Sequence, residues 1–294
     1  MFYWDVKLIF KLQKLFKKIY FPSPRFLMKE AISSFSIAGL RKFPLLVHAT
    51  SSRCYEAESG SRKPLFPYGS SDEDIFKTNQ GWFLNSLGIE DEFVYRVRQV
   101  HGNRVYVLND PLVSIEQVEK EEADAIVTHL SGRSLAVLTA DCVPIIIYDP
   151  VQHVTGVVHA GRKGTEKFIF SNVVEVLVRE YGSSPLDLTV GMGPAIRGCC
   201  YEVDKSCISP FLERIPRHSG WVRESKNGKF LLDLLEANRQ EGVAAGIPIK
   251  NIYSDGPCTF CDNHQWYSYR KEGTTGRMMT LAMLLRRDSC TTML

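Results

Sequence analysis

Between residues 123 and 158 the chain holds four short apolar segments rich in β-branched residues, and this run most constrains the fold. The segments cover residues 123–128, 134–138, 143–148 and 155–158. Each has the length of a strand, and Asp149-Pro150 supplies a turn between the last two. Residues 165–181 then carry a strong helical pattern. A succession of buried strands followed by a helix predicts a sheet that is covered by helices.

The rest of the chain continues this alternation. Further strands are predicted at residues 94–100, 105–108, 188–190, 251–253 and 266–269. Helices are predicted at residues 72–87 and 231–245, and residues 51–72, rich in Ser, Gly, Pro and charge, are predicted to be an irregular loop. Helices and strands alternate without repeats, so the predicted fold class is α/β, a mixed α+β sandwich with a central mixed β-sheet flanked by helices.

The charge is unevenly distributed along the chain. The whole chain has a net charge of +3, but residues 1–46 hold nine basic and two acidic residues, which leaves the body at −4. We therefore predict a basic amphipathic N-terminal extension over residues 1–46. Because no internal linker divides the rest, one domain is predicted over residues 47–294. A mildly acidic body argues against nucleic acid as a partner. The lysine-rich helical pattern of residues 6–20 fits a membrane-surface helix, an organellar targeting segment or a merely solvated extension.

The eight cysteines favour reduced thiols over a disulfide framework. The chain is not small, and its first residues lack the pattern of a secretory signal. A cytoplasmic protein is therefore expected, with the basic N-terminus leaving organellar targeting open. Cys258 and Cys261 form a CxxC motif, but the adjacent pair Cys199-Cys200 does not have the spacing of a second zinc-knuckle half. We therefore expect Cys258 to be packed in the core or to lie near the functional site.

Three reactive side chains follow or precede predicted strands. His101 follows an apolar strand, Asp141-Cys142 separates two strands, and His159 ends a third. Two histidines and a cysteine are a known zinc ligand set, and the open fourth position is typical of catalytic rather than structural zinc. The separations of 41 and 17 residues form no local metal motif. Cys142 as a thiolate nucleophile with His159 as its base, or three ordinary structural residues, stay open as alternatives.

Two glycine-containing turns carry basic residues that suit an anion. Gly161 and Gly164 flank Arg162 and Lys163 between a strand and a helix, where free N–H groups favour phosphate or carboxylate. A second glycine-rich turn at residues 272–276 is flanked by basic side chains, which are Arg270, Lys271 and Arg277. Ordinary turns with exposed basic residues are the alternative in both places.

Five motifs in this order resemble the YfiH or laccase-domain family, also called multicopper polyphenol oxidase-like or purine nucleoside phosphorylase-like. They are Gln99-Val100-His101-Gly102, Ala140-Asp141-Cys142-Val143-Pro144, His159-Ala160-Gly161, the segment 193–203 (GPAIRGCCYEV) and the segments 267–270 (YSYR) and 275–277 (TGR). The resemblance covers roughly residues 45–294. It implies a fold similar to cysteine-hydrolase toxin domains, and it implies that the metal ligands, usually for zinc and with copper as an alternative, are His101, Cys142 and His159.

The resemblance also implies an activity. It implies phosphorolysis of adenosine, inosine and methylthioadenosine with phosphate, together with an adenosine deaminase side activity. For this chemistry we predict Asp141 as a proton shuttle, and we predict phosphate-binding groups at Arg53, Lys163, Gly161 and Arg270. Arg162 and Lys163 stand where the family usually has Trp and Arg, so stacking and bidentate guanidinium binding are lost at this turn.

Three other functions are alternatives to this one. A true multicopper laccase needs about ten histidine ligands and paired HxH motifs, whereas the chain has seven histidines and no HxH motif, so only a mononuclear copper oxidation of phenols would remain. A metal-free cysteine hydrolase or amidase would use Cys142 and His159. A non-enzymatic interaction protein would dock through its basic N-terminus.

Overall fold

The computed structural model describes residues 31–57, 59–67, 73–89, 93–214 and 220–287. The strands of these residues are β1 (Ala31–Phe35), β2 (Leu46–Glu56), β3 (Arg62–Pro64), β4 (Val94–Tyr95), β5 (Val105–Leu108), β6 (Ala125–Thr128), β7 (Ser134–Thr139), β8 (Val143–Asp149), β9 (Val154–Ala160), β10 (Thr189–Met192), β11 (Glu202–Val203), β12 (Val222–Glu224), β13 (Phe230–Leu232), β14 (Ile252–Tyr253) and β15 (Met278–Leu284). The α-helices are α1 (Glu73–Ser86), α2 (Ile115–Val118), α3 (Arg162–Glu166), α4 (Ile169–Tyr181), α5 (Lys205–Arg214), α6 (Leu234–Ala244) and α7 (Tyr269–Glu272).

The strands form two large sheets and one small sheet. Sheet 1 has the order β1-β2-β15-β7-β4, with β3 paired to β2, and sheet 2 has the order β14-β10-β8-β9-β6-β5. Sheet 3 is the small sheet β11-β13-β12. Both large sheets are mixed, since β4 runs parallel to β7, β5 to β6 and β10 to β14, whereas their other pairings are antiparallel. The predicted mixed α/β class is therefore confirmed.

The two large sheets pack face to face and are covered by helices on their outer faces. Ile146 and Val157 of sheet 2 share one core with Leu135 and Val137 of sheet 1. Helix α1 packs on the other face of sheet 1, and helices α4 and α6 pack on the other face of sheet 2. Because β8 lies in the middle of this stack, all seven of its residues are buried, which explains its continuous apolar sequence.

The predicted loop over residues 51–72 was wrong at its beginning. Strand β2 continues through this region to Glu56 and pairs with β3. The serines that favoured a loop are buried and hydrogen-bonded: the Ser51 hydroxyl accepts from the backbone N–H of Met279 at 2.9 Å, and Ser52 donates to the carbonyl of Cys54 at 2.6 Å. Polar side chains that are satisfied in this way can occupy an interior strand.

Two predicted helices are shorter than their sequence pattern. The helix predicted over residues 165–181 is divided into α3 and α4, because Phe168 adopts a left-handed conformation with φ of 60°. In the segment 231–245 a strand, β13, precedes the helix. Helix α6 begins after Asp233, whose side chain accepts from the backbone N–H of Glu236 at 3.1 Å, as expected for an N-cap.

Three other local predictions also differ from the structure. The strand predicted over residues 94–100 is reduced to β4, and the strand predicted over residues 266–269 is absent, since helix α7 begins at Tyr269. Strand β15 was not predicted at all. Its sequence, MMTLAML, is rich in residues that favour helices, and only burial between β2 and β7 makes it a strand.

The predicted N-terminal extension is described from residue 31 onward. Strand β1 pairs with β2, and Ile37 and Leu40 are almost completely buried in the core between the sheets. The amphipathic pattern of residues 6–20 lies outside the described residues and stays a prediction. No helix in the described part of the chain combines the length and hydrophobicity that crossing a bilayer requires.

Glu241 of helix α6 is a buried carboxyl group, and burial raises its pKa to about 7. The group accepts a hydrogen bond from the backbone N–H of Ser171 at 2.8 Å. Between pH 4.5 and pH 7 the folded chain keeps the proton that the unfolded chain releases, so the free energy of unfolding falls as the pH rises. We expect this loss to be about 3 kcal/mol in total and to disappear in Glu241→Gln.

Urea unfolding at pH 5 and pH 8 measures this effect. Glu175→Gln on the exposed face of α4 is the control, and it should keep the pH dependence of the natural chain. If the free energy of unfolding changes with pH by the same amount in Glu241→Gln and in the natural chain, the prediction is contradicted.

Candidate functional site

The β8–β9 hairpin brings Cys142 and His159 together. In this antiparallel pair Val143 lies opposite Ala160 and Pro144 lies opposite His159. Cys142 directly precedes β8 and His159 lies near the end of β9, so the two side chains meet at the same edge of sheet 2. Their separation of 17 residues is therefore the length of one hairpin.

Asp124 joins this pair to His101. Strand β6 pairs with β9 so that Asp124 comes next to His159, and its Oδ1 receives a 2.8 Å hydrogen bond from the His159 Nδ1. The same carboxylate accepts from the backbone N–H of His101 at 2.9 Å and of Gly102 at 2.6 Å. Asp124 is completely buried. Through these hydrogen bonds its single carboxylate fixes both the His159 ring and the turn that carries His101.

The three predicted ligand side chains converge. The ligand atoms of His101, Cys142 and His159 all lie within 4.8 Å of one another. The hydrogen bond from His159 Nδ1 to Asp124 leaves Nε2 available, which is the carboxylate–histidine–metal arrangement of many zinc sites. The residues present therefore fit a metal ion with three protein ligands and one open position.

The charges in the site favour an ionised sulfur. Burial opposes ionisation of Cys142, yet the adjacent His159 and His101 rings lower the pKa of its thiol to about 6. Burial alone would lower the pKa of His159, but the Cys142 sulfur and Asp124 raise it to about 9. Hydrogen bonds from His159 and Gly102 likewise outweigh burial and hold the pKa of Asp124 below its usual value. The thiolate form is the form that binds metals and attacks carbon.

The backbone around the ligands is tightly constrained. His101 and Asp141 adopt positive φ angles of 58° and 86°, which are uncommon for residues other than glycine. A Cβ atom at Gly161 would lie 2.9 Å from the Cys142 Sγ and 3.1 Å from the His101 Cδ2. Gly161 is therefore needed because any larger residue would enter the space of two ligands.

A cleft of about 570 Å³ opens onto the three ligands. Its other lining residues are Val97, Gln99, Leu138, Thr139, Ala140, Tyr269 and Arg277. Gln99 is fixed by two hydrogen bonds with the backbone of Leu138, at 2.9 and 2.8 Å. Apolar walls with one cation and one exposed aromatic ring suit a small ligand that combines a flat apolar part with an anionic part.

Asp141 lies beside Cys142, but both of its carboxylate oxygens are already engaged. One accepts from the Thr259 hydroxyl at 2.6 Å, and the other accepts from the backbone N–H of Arg270 at 2.6 Å. These bonds hold the segment that leads into Cys142. The proton-shuttle role predicted for Asp141 stays a prediction, and its contacts describe a positioning residue.

The predicted phosphate-binding side chains lie apart from one another. Arg53 lies over the Tyr267 ring and donates to Glu272 at 2.7 Å, in a separate surface depression. Arg270 lies over the Tyr201 ring and donates to the Glu202 carbonyl at 2.6 Å. Lys163 is exposed on α3, which has only five residues. None of these three is among the lining residues of the cleft, whereas Arg277 is.

Two residues near the ligands are not among the predicted site residues. Asp124 precedes a strand, as many turn residues do, and only the pairing of β6 with β9 brings it to His159. Tyr201 is half-buried near Cys142, and burial raises the pKa of its hydroxyl; the motif 193–203 contains this residue but does not indicate that neighbour. Motif order along the chain does not report these long-range neighbours.

Comparison with known proteins places the chain in a family. The model of the family described as multi-copper polyphenol oxidoreductase laccase matches residues 68–285, well over half of the chain. The chain belongs to this family. All three ligand candidates and Asp124 lie inside the matched region.

Individual relatives agree with this assignment. The purine nucleoside phosphorylase YlmD of Geobacillus stearothermophilus is 39% identical over 171 residues, which are 57% of this chain and 61%, less than two thirds, of that protein. The adenosine deaminase RL5 of an unknown prokaryotic organism is 35% identical over 200 residues, 66% of this chain and 76% of that protein. The crystal structure of the Bacillus licheniformis hypothetical protein YfiH superposes with a TM-score of 0.76 at 29% identity, covering 86% of this chain and 97% of that one.

Proposed function

We propose that this chain is a zinc-dependent purine nucleoside phosphorylase with an adenosine deaminase side activity. Its substrates would be adenosine, inosine and methylthioadenosine, cleaved with phosphate to a free base and a ribose 1-phosphate. The observation that carries the proposal is the convergence of His101, Cys142 and His159 at the floor of one cleft. The names of the relatives, a purine nucleoside phosphorylase and an adenosine deaminase, supply the substrate class.

His101, Cys142 and His159 would hold the metal. When bound, zinc would supply a Lewis acid and lower the pKa of a water molecule in the site. The protein contributes the orientation: Asp124 accepts a hydrogen bond from the Nδ1–H of His159 and thereby keeps Nε2 as the ligand atom. Gly161 leaves room for the ligands, and the turn that carries His101 is held by backbone hydrogen bonds to the same Asp124.

Phosphate would bind at Arg277. Its Nη1 donates to the carbonyls of Thr275 and Gly276, at 2.7 and 3.0 Å, so the side chain is anchored at the cleft while other N–H donors of the guanidinium stay available. An anchored guanidinium can bind phosphate oxygens in a bidentate manner and stabilise the charge of the attacking anion. Tyr269, which is 60% exposed at the cleft, offers a ring on which a purine can stack.

A second candidate function is favoured by one specific observation. Asp124, His159 and Cys142 are arranged in the order of a nucleophile triad, with the thiol pKa lowered to about 6. A metal-free cysteine hydrolase or amidase would use the Cys142 thiolate as the nucleophile, with His159 as the base that holds the thiol proton and then donates it to the leaving amine. This reaction would keep its full rate after metal removal, and an electrophilic amide would leave an adduct on Cys142 detectable by mass spectrometry.

Chromatography of adenosine incubated with phosphate and zinc-loaded protein tests the proposal. Adenine is the expected product of phosphorolysis and inosine that of deamination. Both should disappear with Cys142→Ala and persist with Cys207→Ser, a half-buried cysteine of α5 outside the site. Formation of neither product by the zinc-loaded chain would contradict the proposal, and full activity after chelation would favour the metal-free alternative. The third possibility, a mononuclear copper oxidation of phenols, is checked by loading the chain with copper in place of zinc and supplying a phenol as substrate.

A further inference from the structure

A second group of metal-ligand side chains lies outside the site just described. The sulfur atoms of four cysteines lie within 4.8 Å of one another, and these cysteines are Cys199, Cys200, Cys258 and Cys261. The Sγ–Sγ distances are 3.6 Å for Cys199–Cys258, 3.7 Å for Cys199–Cys261 and 3.3 Å for Cys200–Cys261. The spacing of common zinc knuckles does not predict that these two pairs meet.

The sheet topology explains the meeting. Strands β10 and β14 are parallel neighbours, so the loops that follow them leave the same edge of sheet 2. The first loop carries the pair 199–200 and the second carries the CxxC motif. The loops are joined by backbone hydrogen bonds, from Ala195 N–H to the Pro257 carbonyl at 3.2 Å and from Thr259 N–H to the Ala195 carbonyl at 3.1 Å.

The sulfur separations match a tetrahedral metal centre. With zinc–sulfur bonds of about 2.3 Å, the edge of a regular ZnS₄ tetrahedron is about 3.8 Å. The observed separations are close to this edge and far longer than the roughly 2.05 Å of a disulfide bond. Adjacent ligands are accommodated because residues 197–200 form a tight turn, closed by the Cys200 N–H on the Arg197 carbonyl at 2.9 Å.

We propose that these four cysteines form a structural zinc site, distinct from the His101–Cys142–His159 site. Four thiolates satisfy all coordination positions of zinc, which is the pattern of structural rather than catalytic centres. Cys199 and Cys261 are exposed, so an ion can enter from the surface.

The surroundings of the cluster suit its negative charge. Lys271 donates to the Phe260 carbonyl inside the CxxC loop at 3.1 Å, and Arg223 donates to the Gly198 carbonyl of the other loop at 3.2 Å. A ZnS₄ centre carries a charge of about −2, and these cations partly balance it.

The proposed zinc would also support the first site. Thr259, inside the CxxC motif, is completely buried and donates to Asp141 at 2.6 Å. The Asp141 carbonyl accepts from the Ile196 N–H at 3.0 Å, so the loop that leads to Cys199 is bound to the same residue. Asp141 directly precedes Cys142. The two cysteine-bearing loops therefore hold both sides of the segment that places the ligand Cys142.

X-ray absorption at the zinc edge tests the proposal on the Cys142→Ala chain, purified under reducing conditions from cells supplied with zinc. This substitution removes a ligand of the first site, and the readout does not depend on the proposed activity. We expect about one zinc ion per chain, with four sulfur neighbours at about 2.3 Å and no nitrogen neighbours. In Cys142→Ala/Cys261→Ser the zinc content should fall to a small fraction, whereas Cys142→Ala/Cys207→Ser should keep it.

Absence of zinc from the Cys142→Ala chain would overturn the proposal, as would zinc bound only by nitrogen or oxygen. Two disulfide bonds among the four cysteines, found by thiol counting and peptide mass spectrometry, would do the same. If the Cys142→Ala/Cys261→Ser variant does not fold, the absorption spectrum of the Cys142→Ala chain still shows whether four sulfur atoms bind the zinc. Absence of nucleoside cleavage by the zinc-loaded natural chain, together with an intact ZnS₄ spectrum of the Cys142→Ala chain, would count against the proposed function only.

Discussion

Asp124→Asn is expected to weaken zinc binding at the His101–Cys142–His159 site by roughly 10- to 100-fold, the usual cost of losing a carboxylate that supports a histidine ligand. Asp124 accepts from His159 and from the backbone of His101 and Gly102 at 2.6–2.9 Å. An asparagine has only one acceptor oxygen and presents N–H donors in place of the other. The His159 ring and the turn at His101 would therefore lose their common support.

Competition with a chromophoric chelator measures the zinc affinity, and nucleoside cleavage is followed in parallel. Asp149→Asn is the matched control, since Asp149 is equally buried at the opposite end of the β8–β9 hairpin and caps its turn through Val151 and Gln152. The control should lose some stability while keeping its zinc affinity. An Asp124→Asn chain that binds zinc as tightly as the natural chain would show that Asp124 has only a structural role.

Gly161→Ala is expected to lower kcat/KM for nucleoside cleavage by about 100-fold, which is the effect of displacing a catalytic group by about 1 Å. The added methyl group would lie 2.9 Å from the Cys142 Sγ, closer than such atoms approach. Gly161 has φ of −76°, which alanine adopts without strain, so the predicted effect comes from the contact alone.

Gly81→Ala in helix α1 is the control for this substitution, because a Cβ atom there has no neighbour within 4 Å. It should leave kcat/KM unchanged and stabilise the helix by about 0.5–1 kcal/mol. The zinc content of both variants should be measured with the kinetics. A Gly161→Ala chain with unchanged zinc content and rate would show that Cys142 moves aside at no cost.

The strands around the site were predictable from the sequence, whereas its supporting contacts were not. Strands β8 and β9 are buried on both faces, so their apolar runs stand out in the sequence, and hairpin pairing accounts for the spacing of Cys142 and His159. His101 reaches them through β5 and β6, which pair in parallel, and a parallel pairing has no short turn that marks it in the sequence. His101 was proposed as a ligand from its residue type and its place after a strand, and the ordered motifs of the family imply the same role.

The contacts that the sequence did not reveal are long-range. Arg53, Lys163 and Arg270 were selected by charge and motif position, yet the first and last bind neighbouring carboxylate or carbonyl oxygens away from the cleft. The cysteine pairs are separated by about 60 residues, and only the parallel pairing of β10 with β14 brings them together. Spacing rules that were learned from compact zinc motifs do not cover such a case.

The position of β15 has a consequence for synthesis on the ribosome. This strand lies between β2 and β7 in sheet 1, with Thr280 opposite Thr50 and Val137. More than 220 residues must therefore be translated after β2 before β15 is made. Until then the edges of β2 and β7 that pair with β15 stay unpaired. We expect nascent chains that stop before residue 278 to be held by chaperones or to aggregate, even though both predicted zinc-ligand sets have already been made.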